Sequence, residues 1–360
     1  MGGGKSLVHC TVKTNTMSAD ILPDFIHFLQ EPAAYPHAAP DVHLLQTHIS
    51  YVLLAGDFVY KFKKPVNFGF LDFSTLAKRQ YFCEQELVLN RRLCPDIYLA
   101  VVRINDEKGV YSLDGPGRVV EYGVKMVRMP EDGMMGNLIK AGKLTLAHLD
   151  LIVDTLVPFY RKAVVNDHIR QFGRAESVAV NILENFEQAR PYVGSSILSQ
   201  EEFDHISGYA RAVLANEALF DRRMAADRIR DCHGDLHSAN ICFADDQVHI
   251  FDCIEFNERF RYCDIASDVA FLAMDLDARG LEAMSEYFIN RFIEKSGDTG
   301  LTRVLNFYKC YRATVRGKIG LITAHEPEVD EETRAEAETQ AARYFLLAQQ
   351  YADRCQSTIK

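Results

Sequence analysis

One stretch limits the possible folds more than any other: His233-Gly234-Asp235-Leu236-His237-Ser238-Ala239-Asn240, followed by two short apolar runs that end on Asp252. Ile241-Cys242-Phe243 and Val248-His249-Ile250-Phe251 flank the turn-forming Ala244-Asp245-Asp246-Gln247, which is the pattern of a β-hairpin. A hairpin there brings Asn240 and Asp252 to the same end, where one magnesium ion can bind both. Asp235 places a carboxylate five residues before Asn240. A carboxylate that orients a hydroxyl and takes its proton, beside oxygen ligands for magnesium, is what transfer of a phosphoryl group from ATP requires. A surface Asp and Asn beside an ordinary hairpin is the plain alternative. Four polar residues in this order, joined to the hairpin, argue against it.

The order and spacing resemble the kinase catalytic loop H-R-D-L-x-x-x-N followed by D-F-G, with Gly234 in place of the Arg and Cys253-Ile254 in place of Phe-Gly. H-G-D, with a loose D-F-G position, resembles the aminoglycoside phosphotransferase and choline kinase superfamily. More narrowly, Val59-Tyr60-Lys61-Phe62-Lys63-Lys64-Pro65-Val66, Gly69-Phe70-Leu71-Asp72-Phe73-Ser74-Thr75-Leu76 and His233-Gly234-Asp235-Leu236-His237 look like a bacterial branch called aminoglycoside phosphotransferase-like, without an assigned substrate. The resemblance runs from about His43 to about Lys318. It implies an α+β, two-lobed protein-kinase-like fold, with a small antiparallel β-rich N-lobe and a larger helical C-lobe. It also implies ATP and Mg2+ as cofactors and a small-molecule hydroxyl as acceptor.

Composition bounds the remaining options. At 360 residues, 48% apolar and 25% charged, the chain reads as globular, with ample length for one two-lobed unit or two domains. A net charge of -10 argues against nucleic acid as the main partner. No apolar run approaches the roughly 20 residues of a membrane span. The nine cysteines are scattered without a C-x-x-C pair. Cys232, Cys242, Cys253 and Cys263 recur every ten or eleven residues, which is not zinc-ligand spacing. Reduced thiols suit a cytoplasmic setting. Met1-Gly2-Gly3-Gly4-Lys5-Ser6 contains both a P-loop-like G-K-S and a myristoylation-like pattern. No strand precedes it, so it reads as a tail, and Met17 is a candidate natural start.

Hydrophobic periodicity gives the organisation: residues 1–40 as a tail with a short helix over Ile21–Gln30, 41–129 as a β-rich lobe, 130–325 as a helical lobe, and 326–360 as a terminal helix. Val42–Leu54 and Phe58–Phe62 read as strands about Ala55-Gly56-Asp57, and Ser74–Leu93 as an amphipathic helix stopped by Pro95. Tyr98–Ile104, Gly109–Leu113 and Arg118–Val127 return to strand patterns. Leu144–Val165, Glu176–Gln188, Gln200–Arg223, Asp264–Asp275, Gly280–Lys295, Leu301–Thr323 and Glu331–Cys355 carry helical periodicity, with the hairpin after Asn240 as the only strand-like material in that half.

The resemblance to kinases asks for a lysine on the third strand and a glutamate on the following helix. Lys61 is the choice, with Lys63 on the same strand face as the alternative. Glu86 shares a helix face with Leu89 and Leu93 and is chosen over Glu84. Where protein kinases carry a glycine-rich loop, Gln46-Thr47-His48-Ile49-Ser50 stands, and Thr47 and Ser50 are the candidate phosphate contacts against an ordinary turn. Backbone groups of Val127 and Met129 are placed at the adenine. Asp264 resembles the aspartate that braces the catalytic loop, with a helix N-cap as the competing reading. Glu255 and Glu258 either face substrate or are solvated, and Arg312 with Arg316 pairs internal acids or reads an anion. Four acids (Glu255, Glu258, Asp275, Asp277), split between two segments, favour a sugar, amino sugar or amino alcohol over a polycationic aminoglycoside. A non-catalytic nucleotide-binding or scaffold protein, or a protein kinase, is the alternative.

Overall fold

The structure, a computed structural model, describes residues 22–327 and 329–359, with side chains described as far as Arg354. The Met1–Ser6 motif and Met17 lie outside the described residues. The chain divides into two compact units: described residues up to Leu144 together with Ala239–Asn257, and Thr145–Ser238 with described residues from Glu258 onward. The division differs from an expected break near residue 130, because the hairpin after Ser238 belongs to the first unit.

The first unit is built on a six-stranded antiparallel sheet. A helix α1 (Asp24–Gln30) precedes strands β1 (Val42–Gln46), β2 (Ser50–Ala55) and β3 (Phe58–Lys63); α2 (Leu76–Asn90) then leads to β4 (Tyr98–Glu107), β5 (Val110–Leu113) and β6 (Arg118–Val127). Their spatial order is β1-β2-β3-β6-β4-β5. The single run expected over Val42–Leu54 is two strands, because Thr47 closes a tight turn by accepting from the Ile49 and Ser50 N–H groups. Strand alternation in β3 sends Tyr60 and Phe62 into an apolar core with Ile26 and Leu29 of α1. Lys61 and Lys63 therefore take the other face of the sheet. There α2, capped by Thr75, is tied to β6 through Arg79 and Glu121, whose Nε–carboxylate distances are 2.8 and 2.9 Å. A short helix α3 (Met135–Lys140) follows, and the hairpin Ile241–Ala244 with Gln247–Ile250 completes the unit. A Cβ on Gly133 would sit 2.1 Å from the Phe243 carbonyl oxygen, so only glycine permits that approach to the hairpin.

The second unit is mainly helical, which together with the first gives the α+β class expected from the pattern. Helices span Leu146–Lys162, Ala175–Ala189, Gln200–Leu214, Glu217–Ala225, Ile265–Ala278, Glu282–Ser296, Thr302–His325 and Glu331–Ile359. The run expected as one helix over Gln200–Arg223 breaks at Asn216. Strand content is also higher than expected: Ile229–Asp231 pairs antiparallel with Tyr262–Asp264. The Ile265–Ala278 helix is buried along its whole length, three aspartates included. Buried carboxylates need partners, and Asp268, Asp275 and Asp277 all have them.

Candidate active site

In the first unit Lys61 is the hub. Its Nζ lies 2.7 Å from Asp252 Oδ1 and 2.9 Å from Glu86 Oε1. Lys63, two residues along the same face, donates to Glu86 Oε2 at 2.6 Å and to Glu255. Both lysines therefore meet Glu86, where the sequence posed a choice between them. Glu84 is elsewhere, accepting from Gln80 on the exposed side of α2. Burial opposes the charge on Glu86, but the two ammonium groups outweigh it and hold its pKa down at about 2. Burial likewise works against the charge on Lys61, and Asp252, Glu86 and Glu255 reverse the effect and raise it. Glu255 is neither solvated nor facing outward. It is buried against Lys63, and burial leaves its carboxyl pKa above the ordinary range despite that partner.

Asp252 is held by an unusual backbone. Its φ of 61° is left-handed, which few residues other than glycine adopt. The bend is pinned on both sides: the Asp252 N–H donates to Tyr98 Oη at 3.2 Å, and the Cys253 N–H donates to Asn90 Oδ1 at 2.8 Å. Ile241 pairs with Ile250, and the Phe251 N–H donates to the Asn240 carbonyl, so the hairpin does bring Asn240 beside Asp252 in the chain ladder. Asp252 Oδ2 makes no hydrogen bond among the described residues, and its side chain is 44% exposed. One open carboxylate oxygen plus an amide is a hard-oxygen donor set of the kind that holds magnesium together with phosphate oxygens.

Three expected nucleotide contacts change. The Thr47 hydroxyl is occupied by its own turn, as are the Ile49 and Ser50 N–H groups, while the Ser50 hydroxyl is buried without a partner. Neither side chain is presented to a phosphate. The Val127 N–H donates to the Ile97 carbonyl, which removes it as an adenine donor; Met129 follows in the connector beyond β6.

In the second unit Asp235 sits at the end of a braced loop. Gly234 has φ of 88°, which explains glycine where protein kinases place an arginine. The His233 and Gly234 N–H groups donate to Asp268 Oδ2 and Oδ1 at 2.7 and 2.9 Å. Arg312 donates to the Gly234 carbonyl at 3.0 Å. Asp268, not Asp264, is therefore the bracing aspartate. Asp264 caps its helix at the Ala266 N–H and takes two bonds from Arg223, which also binds Asp298. A signal for Asp268 was available, since a carboxylate inside an otherwise apolar helix must be paired. Asp235 itself lies 3.3 Å from His237 Nε2. Burial would raise its pKa, but His237, His233 and Arg316 hold it well below the carboxylate range. So ionised a group is a weak base, suited to orienting a hydroxyl and accepting its proton late.

The remaining acids are spent internally. Asp275 accepts from the Ser238 N–H at 2.9 Å and from Arg279 at 3.3 Å. Asp277 is held by Lys309 at 2.8 Å and Tyr351 at 2.5 Å. Only Glu258 of the four stays exposed, 3.8 Å from His168.

No protein-family model matches the sequence. Uncharacterized proteins of Mycobacterium tuberculosis and Mycobacterium bovis are 31% identical over 313 residues, which is 87% of this chain. The match spans 60% of the length of those relatives. Among solved structures the chain is similar to a choline/ethanolamine kinase family protein from Mesorhizobium loti (14% identity, 91% of this chain and 99% of that one, TM-score 0.49). It is also similar to a Plasmodium vivax ethanolamine kinase (12% identity, 84% and 81%, TM-score 0.47). A third likeness is to an amicoumacin kinase in complex with AMP-PNP and Ca2+ (12% identity, 91% and 94%, TM-score 0.49).

Proposed function

We propose that the protein is an ATP- and Mg2+-dependent phosphotransferase that phosphorylates a hydroxyl of a small polar molecule, in the aminoglycoside phosphotransferase and choline kinase superfamily. The observation that carries the reading is Lys61, bound at once to Glu86 and Asp252 beside the Asn240 ladder. Lys61, fixed by Glu86, binds the phosphates; Asp252 and Asn240 hold the metal; and Asp235 orients the acceptor hydroxyl and receives its proton. Bound Mg2+ would neutralise phosphate charge as the bond to the leaving oxygen breaks. A connector backbone group at Met129 is the remaining candidate for the adenine.

For the acceptor we infer a sugar, amino sugar or amino alcohol in preference to an aminoglycoside. Glu255, Asp275 and Asp277 are each committed to a cation or backbone donor of their own unit, which leaves few acids for a polycation. A cytoplasmic location fits the reduced thiols. Asp235→Asn should abolish most turnover in an ATP-consumption screen over sugars, amino sugars, amino alcohols and aminoglycosides, with nucleotide affinity kept. Undiminished phosphoryl transfer in that variant would remove Asp235 from the mechanism. Turnover confined to aminoglycosides would reverse the substrate assignment, and labelling of lysate proteins alone would point to a protein kinase.

A further inference from the structure

We propose that His237 is a positioning residue for Asp235: its Nε2–H holds Oδ2 of the carboxylate and fixes the plane in which the acceptor hydroxyl meets it. The proposal rests on the role given to Asp235 above. Behind it stands a clamp of two histidines, one on each side of Asp235 at a spacing of two. The Asp235 N–H donates to His233 Nδ1 at 3.2 Å, and His237 Nε2 lies 3.3 Å from Asp235 Oδ2. One histidine thus holds the main chain of the aspartate and the other its carboxylate.

The spacing follows from local chain geometry. Residues two apart on an extended segment share a side, and Leu236 between them is fully buried in the core. One helix anchors the segment at both ends. Asp268 takes the His233 and Gly234 amides, and Asp275 takes the Ser238 N–H at 2.9 Å. The two acids are seven residues apart in the buried Ile265–Ala278 helix, which is about two turns and therefore one face. Phe271 lies between them on that face, and its ring packs against the His237 imidazole with centroids 5.2 Å apart at 42°. The His237 side chain is only 12% exposed, so the ring has little room to swing away.

What the contact supplies is orientation. The Asp268 brace fixes the backbone of the loop and leaves the side-chain torsions of Asp235 to be set by something else. A carboxylate that is 34% exposed can turn its oxygens off the line of proton transfer, and the bond from His237 removes that freedom. No proton is passed on: as the acceptor oxygen bonds to phosphorus, its proton goes to Asp235, and His237 keeps its own. A side chain that only filled space here could be replaced by any of similar size. One that positions Asp235 needs a donor at the place of Nε2. Glutamine carries its amide nitrogen to about that place, whereas asparagine reaches only as far as Nδ1.

The test compares His237→Gln with His237→Asn in the full chain, using ATP, Mg2+ and ethanolamine, glucosamine and glucose as acceptor probes. His237→Asn should lose about 10- to 100-fold in kcat, the scale of a misplaced reacting group, with acceptor KM within about threefold of wild type. His237→Gln should keep kcat within about threefold. Equal kcat in the two variants, or a loss carried by KM alone, overturns the proposal. A second readout needs no acceptor: the His237 ring N–H should give a slowly exchanging proton NMR signal, absent in His237→Gln and lost in Asp235→Ala. A wild type without this signal, or a signal that persists in Asp235→Ala, overturns the proposal whether or not a probe is phosphorylated. Turnover of none of the probes, with the signal present and dependent on Asp235, would count against the phosphotransferase reading and leave the clamp standing.

Discussion

Replacing Lys63 with Met tests whether the second lysine holds Glu255 in the buried ionic cluster. Met preserves most of the stem and removes only the charge, so a cavity contributes little. Glu86 keeps Lys61 as a partner at 2.9 Å, whereas Glu255 loses the only cation with which it makes a hydrogen bond among the described residues. The cost of leaving Glu255 buried and ionised has a ceiling, because the carboxyl can take a proton instead. From an ordinary value of 4.5, protonation at pH 7 spans about 2.5 units at ~1.4 kcal/mol each. Part of that is already carried in the wild type, where burial keeps the pKa raised, so a loss of about 2–3 kcal/mol is expected at pH 7.

The pH dependence separates this account from a packing defect. A carboxyl with a raised folded pKa contributes its stability below the unfolded value and loses it as pH rises toward the folded one. The deficit in Lys63→Met should therefore grow with pH, from about 1 kcal/mol near pH 5.5 to about 2–3 near pH 7. Hydrogen exchange of the β3 and α2 amides reads the opening free energy of the first unit without requiring two-state unfolding of the whole chain. A deficit equal at both pH values, or below about 1 kcal/mol at pH 7, would refute the ionic account.

Glu86 has the opposite sign. Its depressed pKa contributes stability above 4.5 that is lost as pH falls through about 2, on the order of 3 kcal/mol, and an acid titration followed by the same amide exchange should show it. Asp268→Asn replaces one of two acceptor oxygens beneath the His233 and Gly234 amides, at about 1–3 kcal/mol. It should lower kcat while leaving nucleotide affinity intact, and a kcat equal to wild type would show that the brace is dispensable.

The parts of this site that the sequence exposed are those fixed by short-range periodicity. The hairpin between Asn240 and Asp252 followed from apolar runs around a turn, and Glu86 from leucines three and seven residues on. Lys61 and Lys63 share a face by strand alternation, and nothing local distinguishes them. Both meet Glu86, and Lys63 also meets Glu255, which lies 192 residues from it. A pairing over that separation has no local signature. The bracing aspartate was missed for a different reason: Asp264 occupies an N-cap position that is recognisable in any helix, whereas Asp268 matters only because its helix is buried on all sides. Thr47 and Ser50 are candidate phosphate contacts by their place in the nucleotide-covering segment and by their hydroxyls, and the tight turn that absorbs the Thr47 hydroxyl is set by backbone geometry.

The departure from D-F-G at Cys253-Ile254 has a physical reading in the same terms. A left-handed residue places its carboxylate off the line of the strand, and aspartate tolerates that conformation better than most residues. Strain of this kind persists only where neighbours over-determine it. Here Tyr98 from β4 and Asn90 from α2 take the N–H groups of Asp252 and Cys253, and Lys61 from β3 takes the carboxylate. Three elements of the first unit thus meet at one residue, while Cys253 itself is buried. A phenylalanine and a glycine are not needed to set the position of Asp252 when α2, β3 and β4 all hold it. Asp252 is thus held through its N–H and one carboxylate oxygen, while Oδ2 makes no hydrogen bond among the described residues.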